Sequence, residues 1–87
     1  MTQKIAIITQ SYKNDYNECK LLCESIDRFS PELDHFIFVN DEDIKLFQSL
    51  KYGKHKVYKK STILEFLLKY WDIIFISALS QFQSENG

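Results

Sequence analysis

Lys4-Ile-Ala-Ile-Ile-Thr-Gln-Ser-Tyr-Lys-Asn-Asp15 decides the reading of this chain, and His35-Phe-Ile-Phe-Val-Asn-Asp-Glu-Asp43 repeats its plan. In each, a short apolar run stops abruptly at a polar junction. The run at residues 4–8 is apolar on both faces, which predicts a parallel strand covered from both sides. The run at residues 35–39 predicts a second strand of the same kind.

Between them, Cys19, Leu22, Cys23, Ile26 and Phe29 recur at three- and four-residue steps. That spacing predicts an amphipathic helix over residues 16–29. Asp15 and Glu18 have the spacing of a capping box, and Ser30-Pro31 stops the helix. After the second strand, Asp41 is a natural N-cap for a short helix whose apolar stripe is Ile44, Phe47 and Leu50. Tyr52-Gly53-Lys54 breaks it, and residues 55–58 predict a third strand. Strand, helix, strand, helix, strand is the alternation of an α/β layer with a parallel, Rossmann-like sheet. Residues 1–61 form this βαβαβ segment.

Residues 62–87 are expected to be a hydrophobic helical tail. Fourteen of the 21 positions from 62 to 82 are apolar or aromatic, and Glu65, Lys69 and Asp72 fall on one polar stripe. Three charges argue against a membrane-spanning helix. A helix apolar on most sides wants burial in something larger. A break into helix plus strand, with residues 73–76 as the strand, is the other possibility.

Composition excludes several classes. The chain has 87 residues, a formal net charge of −1 and two glycines. A nucleic-acid binder needs a basic face, and a phosphate cradle of the dinucleotide or P-loop type needs more glycines. Lys51, Lys54, Lys56, Lys59 and Lys60 cluster; they read as a solvated loop and a charge-guarded edge strand, or as a contact to an anion. No secretory signal is visible and the two cysteines read as reduced core residues, so a cytoplasmic setting is expected. Zinc would need further ligands near Cys19 and Cys23, and His35 and His55 are distant in sequence. His35 reads as a tolerated strand residue.

The candidate chemistry lies at the two junctions, because parallel sheets bind ligands beyond the carboxyl ends of their strands. Thr9 or Ser11 could hydrogen-bond a ribose or base edge, and Tyr12 could stack on a base; taken from the residues alone, a plain capped connection is the favoured reading. Asp41 and Asp43, one residue apart, could hold a divalent metal, or serve as helix-start acids. No nucleophile elbow is present.

At these junctions the chain resembles the opening of a bacterial family of glycosyltransferase-like proteins with the type A fold. Thr9-Gln-Ser-Tyr-Lys-Asn-Asp15 is similar to its Thr-x-Ser-Tyr-x-x-Asp loop. Cys19-Lys-Leu-Leu-Cys-Glu-Ser-Ile-Asp-Arg-Phe29 and the Asp41-Glu-Asp43 end of the second strand are similar to its next segments. The resemblance covers residues 4–64. It implies a nucleotide-sugar donor pocket bordered by Thr9, Ser11, Tyr12 and Asp15, with Asp41 and Asp43 beside it. The family's metal-binding Asp-x-Asp lies later, so that role does not pass to Asp41 and Asp43, and no resident cofactor is implied within these residues. The expected function is a donor-binding segment, inactive alone. A small interaction module that joins a partner or itself through residues 62–82, or a non-functional truncated remnant lacking its C-terminal portion, are the alternatives.

Overall fold

The computed structural model describes residues 4–78. Four strands form one sheet: β1 (Lys4–Ser11), β2 (Asp34–Val39), β3 (His55–Lys59) and β4 (Ile73–Ala78). Two helices accompany them, α1 (Tyr16–Phe29) and α2 (Ile63–Lys69). The spatial order is β3-β2-β1-β4, and every pairing is parallel. The chain therefore steps from β1 through α1 to β2 and on to β3. It then returns through α2 to the far side of β1.

The helices lie on opposite faces, and the strand period of two assigns each side chain to one of them. On the α1 face, Cys19 and Cys23 pack with Ile37, Val39, Phe47, Leu50 and Val57. On the α2 face, Phe66 packs with Ala6, Ile8, Phe36 and Phe38, flanked by Tyr58, Tyr70 and Phe75. Central β2 is buried along all but its first residue, as the continuous apolar run requires.

The expected α/β parallel sheet is thus present, and the hydrophobic helical tail is not. The segment breaks after Lys69: α2 has seven residues, and β4 pairs with β1 from Lys4↔Ile73 to Thr9↔Ala78. Ile73, Ile74, Phe75 and Ile76 are β-branched or aromatic, and β1 offered an unpaired edge to receive them. Residues 62–78 consequently share the sheet of residues 4–59. The part of the expected tail at residues 79–87 lies outside the described residues. No helix among the described residues is long and apolar enough to cross a membrane.

Smaller expectations shift as well. In place of one α-helix there are two 3-10 segments, Asp41–Asp43, which Ile44 caps, and Leu46–Leu50, which carries Phe47 and Leu50. The strict three-residue step of Ile44, Phe47 and Leu50 is the 3-10 period. Asn40, not Asp41, takes the N-cap position there. Asp15 holds the N-cap position of α1 but makes no side-chain cap hydrogen bond. A 3-10 turn (Lys13–Asp15) runs into the helix and leaves Asp15 at φ −102°, ψ 13°, outside the extended region that capping uses. Gly53 turns the chain into β3 at φ 55°, a left-handed conformation that glycine adopts without a steric penalty.

Candidate functional site

The carboxyl edge gathers both polar junctions. Ser11 pairs with Val39, so Tyr12 and Asn40 leave the sheet side by side. Hydrogen bonds then tie the three adjacent strand ends together. Lys13 N donates to Asp43 Oδ2 at 3.0 Å, joining the loops after β1 and β2. Ser61 Oγ donates to both Asp41 oxygens at 3.2 and 3.0 Å, joining the loops after β2 and β3. Asp43 is buried and Asp41 is exposed. Both carboxylates thus hold loops, and they bond to different neighbours.

The other expected residues separate by depth. Tyr12 and Asp15 are half-buried at the rim. Ser11 is buried at the last position of β1, and its Oγ has no hydrogen-bond partner among the described residues. Thr9 is fully buried beneath the rim. Its hydroxyl faces α1 and meets His35 Nε2 at 2.8 Å, so it is engaged inside the protein and does not open onto a crevice.

That contact leads to a second polar centre, at the amino ends of β2 and β3. Register places His35 level with His55, both on the α1 face. His35 Nδ1 and His55 Nδ1 stand 2.9 Å apart. From α1, Cys23 Sγ approaches His35 Nδ1 at 3.8 Å. Asp27 Oδ1 meets His55 Nε2 at 2.7 Å, and Tyr52 donates its hydroxyl to Asp27 Oδ2 at 2.8 Å. Cys23, His35 and His55 are all buried, and their ligand atoms lie within 4.8 Å of one another.

The proton positions follow from donor arithmetic. A carboxylate accepts only, so His55 donates from Nε2 and, when neutral, leaves Nδ1 bare. His35 must then donate from Nδ1, which leaves its Nε2 to accept from Thr9. Four hydrogen bonds run one way: Thr9 to His35, His35 to His55, His55 to Asp27, and Tyr52 to Asp27.

Electrostatics agrees. Burial and the neighbouring His55 push the His35 imidazole down to about 3, so it is neutral. Burial alone would raise the Asp27 carboxyl, but bonds from His55 and Tyr52 outweigh it and hold it below the ordinary carboxylate value. Hydrogen bonding with Cys19 and burial keep the Cys23 thiol protonated, well above its usual range. Burial and the Asp27 carboxylate push the Tyr52 phenol up to about 12.

Both cysteines are free and buried, as the sequence suggested. The histidines are not incidental strand residues, however. Twenty residues separate them in sequence, and parallel register cancels that distance. The available signal was a histidine at the start of each of two expected adjacent strands. Comparison with protein-family models, curated proteins and solved structures finds no match to this chain.

Proposed function

We propose that this chain is a donor-binding segment of glycosyltransferase-like type, bordering a nucleotide-sugar pocket and not catalytic alone. The observation that supports it most is the strand order. The chain leaves β1 towards β2 on one side, while the α2 crossover delivers β4 to the other. Ligands of open parallel sheets bind where such crossovers diverge, beyond the carboxyl ends. Ser11 ends β1 at that point with a hydroxyl that has no partner among the described residues, and α1 begins four residues after Tyr12. In this reading Ser11, Tyr12 and Asp15 border the nucleotide, Asp41 and Asp43 brace its neighbouring loops, and Thr9 supports Ser11 from beneath.

Calorimetric titration of the folded chain with uridine, guanosine and cytidine diphosphates and their sugar conjugates tests this. Weak binding that is lost in Ser11→Leu and Tyr12→Ala is expected. No heat with any of them, on protein that melts cooperatively, would remove the reading.

A second reading is self-association with another copy through residues 62–78. What supports it is a run of exposed apolar side chains: Leu64 at 67%, Leu68 at 70% and Trp71 at 83%, followed by Ile74 and Ile76 on β4. Sedimentation across a hundredfold concentration range separates the two. A monomer throughout counts against association.

A further inference from the structure

We propose that Cys23, His35 and His55 form a closed structural site for a zinc-class divalent cation that staples α1 to the amino ends of β2 and β3. The centre lies at the opposite end of the sheet from the proposed nucleotide pocket, and the inference does not depend on that pocket.

Three observations carry it. First, the donor atoms converge. His35 Nδ1 and His55 Nδ1 face each other at 2.9 Å, and Cys23 Sγ lies 3.8 Å from the first. Around a tetrahedral zinc, bond lengths of about 2.0–2.1 Å to nitrogen and about 2.3 Å to sulfur put nitrogens roughly 3.3 Å apart and a nitrogen and a sulfur roughly 3.5 Å apart. Shifts of a few tenths of an ångström bring these two pairs there, and the third pair, Cys23 Sγ and His55 Nδ1, closes from within 4.8 Å by a turn of the Cys23 side chain.

Second, the outer nitrogen of each ring already faces a partner of the kind that holds a metal ligand's outer nitrogen. His55 Nε2 donates to Asp27, and His35 Nε2 meets Thr9 Oγ1. Carboxylate and hydroxyl partners of this kind fix ring orientation and tautomer in metal sites. Third, all three donors are buried, and a nitrogen and thiolate set suits zinc over magnesium or calcium. Cys19, fully buried one turn earlier on α1, lies outside that convergent group and would have to swing towards it to complete four-coordination.

The protons balance. In the metal-free chain one proton sits between the two Nδ1 atoms, on His35. On binding it leaves Nδ1 and His35 carries its proton on Nε2 instead, donating to Thr9, so the ring stays neutral. Cys23 exchanges its S–H bond for a sulfur–metal bond. With three ligands the net change is one proton released to solvent per ion, and a Cys19 thiolate would add a second. Because the donors are buried, uptake is coupled to folding.

Titration of the reduced full chain with Co²⁺, refolded in its presence, reads the site directly. A near-ultraviolet thiolate-to-cobalt charge-transfer band with tetrahedral visible bands is expected, at one ion per chain and displaced by Zn²⁺. Cys23→Ser abolishes or strongly reduces that band. Asp27→Asn keeps every ligand and weakens binding about 10- to 100-fold. Cys19→Ser leaves a weaker thiolate band if both sulfurs bind. Two results overturn the proposal. One is no band and no Zn²⁺-dependent rise in melting temperature on folded chain. The other is a band of undiminished intensity in Cys23→Ser. Should Cys23→Ser not fold, Asp27→Asn with unchanged cobalt affinity overturns it equally.

Discussion

The two faces of the sheet are closed by different physics. On the α2 face, Phe66 sits among rings, with Phe36 and Tyr70 centroids at 4.7 Å and Phe38 at 5.1 Å. That cluster holds no histidine, cysteine or carboxylate. On the α1 face, the packed cysteines and aliphatics surround the Thr9–His35–His55–Asp27 chain of hydrogen bonds. The first face gains from area and dispersion, which tolerate small displacements. The second gains only while each buried donor has its acceptor. Proton, metal and substitution chemistry should therefore act on one face and leave the other untouched.

The largest test is Phe66→Ala, which empties the aromatic cluster. It should cost about 3–5 kcal/mol, with the same loss at pH 7 and pH 5. Urea unfolding at both pH values measures this; a loss that varies with pH would show the faces are coupled.

Acidification tests the other face in the metal-free chain. The folded pKa of His35 is depressed to about 3 from an ordinary 6.5. Between those values the unfolded chain binds the extra proton, so stability is complete above about 6.5 and is lost as pH falls towards 3. The slope should not exceed roughly 1.4 kcal/mol per pH unit from this group. Asp27, also depressed, adds a further loss near the bottom of the window as its carboxylate protonates. A flat urea midpoint from pH 7 to pH 4 in the presence of a chelator would contradict the buried neutral histidine.

Thr9→Val is a smaller perturbation of similar shape. It removes the donor to His35 Nε2 and leaves a buried nitrogen unsatisfied, at a cost of about 1–3 kcal/mol. The same substitution should steepen no pH dependence on the α2 face, which a Thr9→Val, Phe66→Ala double mutant would report as additivity within about 0.5 kcal/mol. The smallest effect belongs to Trp71→Ser. Trp71 is 83% exposed, so stability should move by no more than about 0.5 kcal/mol. If residues 62–78 mediate self-association, that variant nevertheless shifts the sedimentation profile towards monomer.

The two edges of the sheet contrast in the same spirit. β3 is an edge strand as the lysine cluster suggested, with Lys56 over the Phe36 ring at 5.9 Å and Lys54 Nζ donating to the Glu32 carbonyl at 2.9 Å. β4 carries no charge at all along Ile73–Ala78, and Ile74 and Ile76, level with Ile5 and Ile7 on the α1 side of the sheet, are exposed. Charge on an edge discourages further pairing, and its lack invites it.

Periodicity made much of this legible. The apolar runs at β1 and β2, the heptad-like stripe of α1 and the turn at Gly53 are local signals, and local signals survive in one dimension. The break between α2 and β4 was less legible, because a short apolar run satisfies a buried helix and a strand alike. The sequence reading favoured a helical tail, and the vacant edge of β1 decided for a strand over Ile73–Ala78. At the candidate site, Asp41 and Asp43 could be named from spacing, but their separate loop partners, Ser61 and the Lys13 amide, could not. His35 and His55 carried almost no signal, since each looks like a lone histidine in its own strand.

By itself, then, the sequence determined the alternating elements, the parallel sheet and the polar junctions at its carboxyl edge, because side-chain period and chain stiffness act between near neighbours. Tertiary structure alone decided which way β4 folds back, which face Thr9 serves and which side chains converge on Cys23. Those outcomes depend on strand register, and register brings together residues 12 to 28 positions apart that no local rule connects.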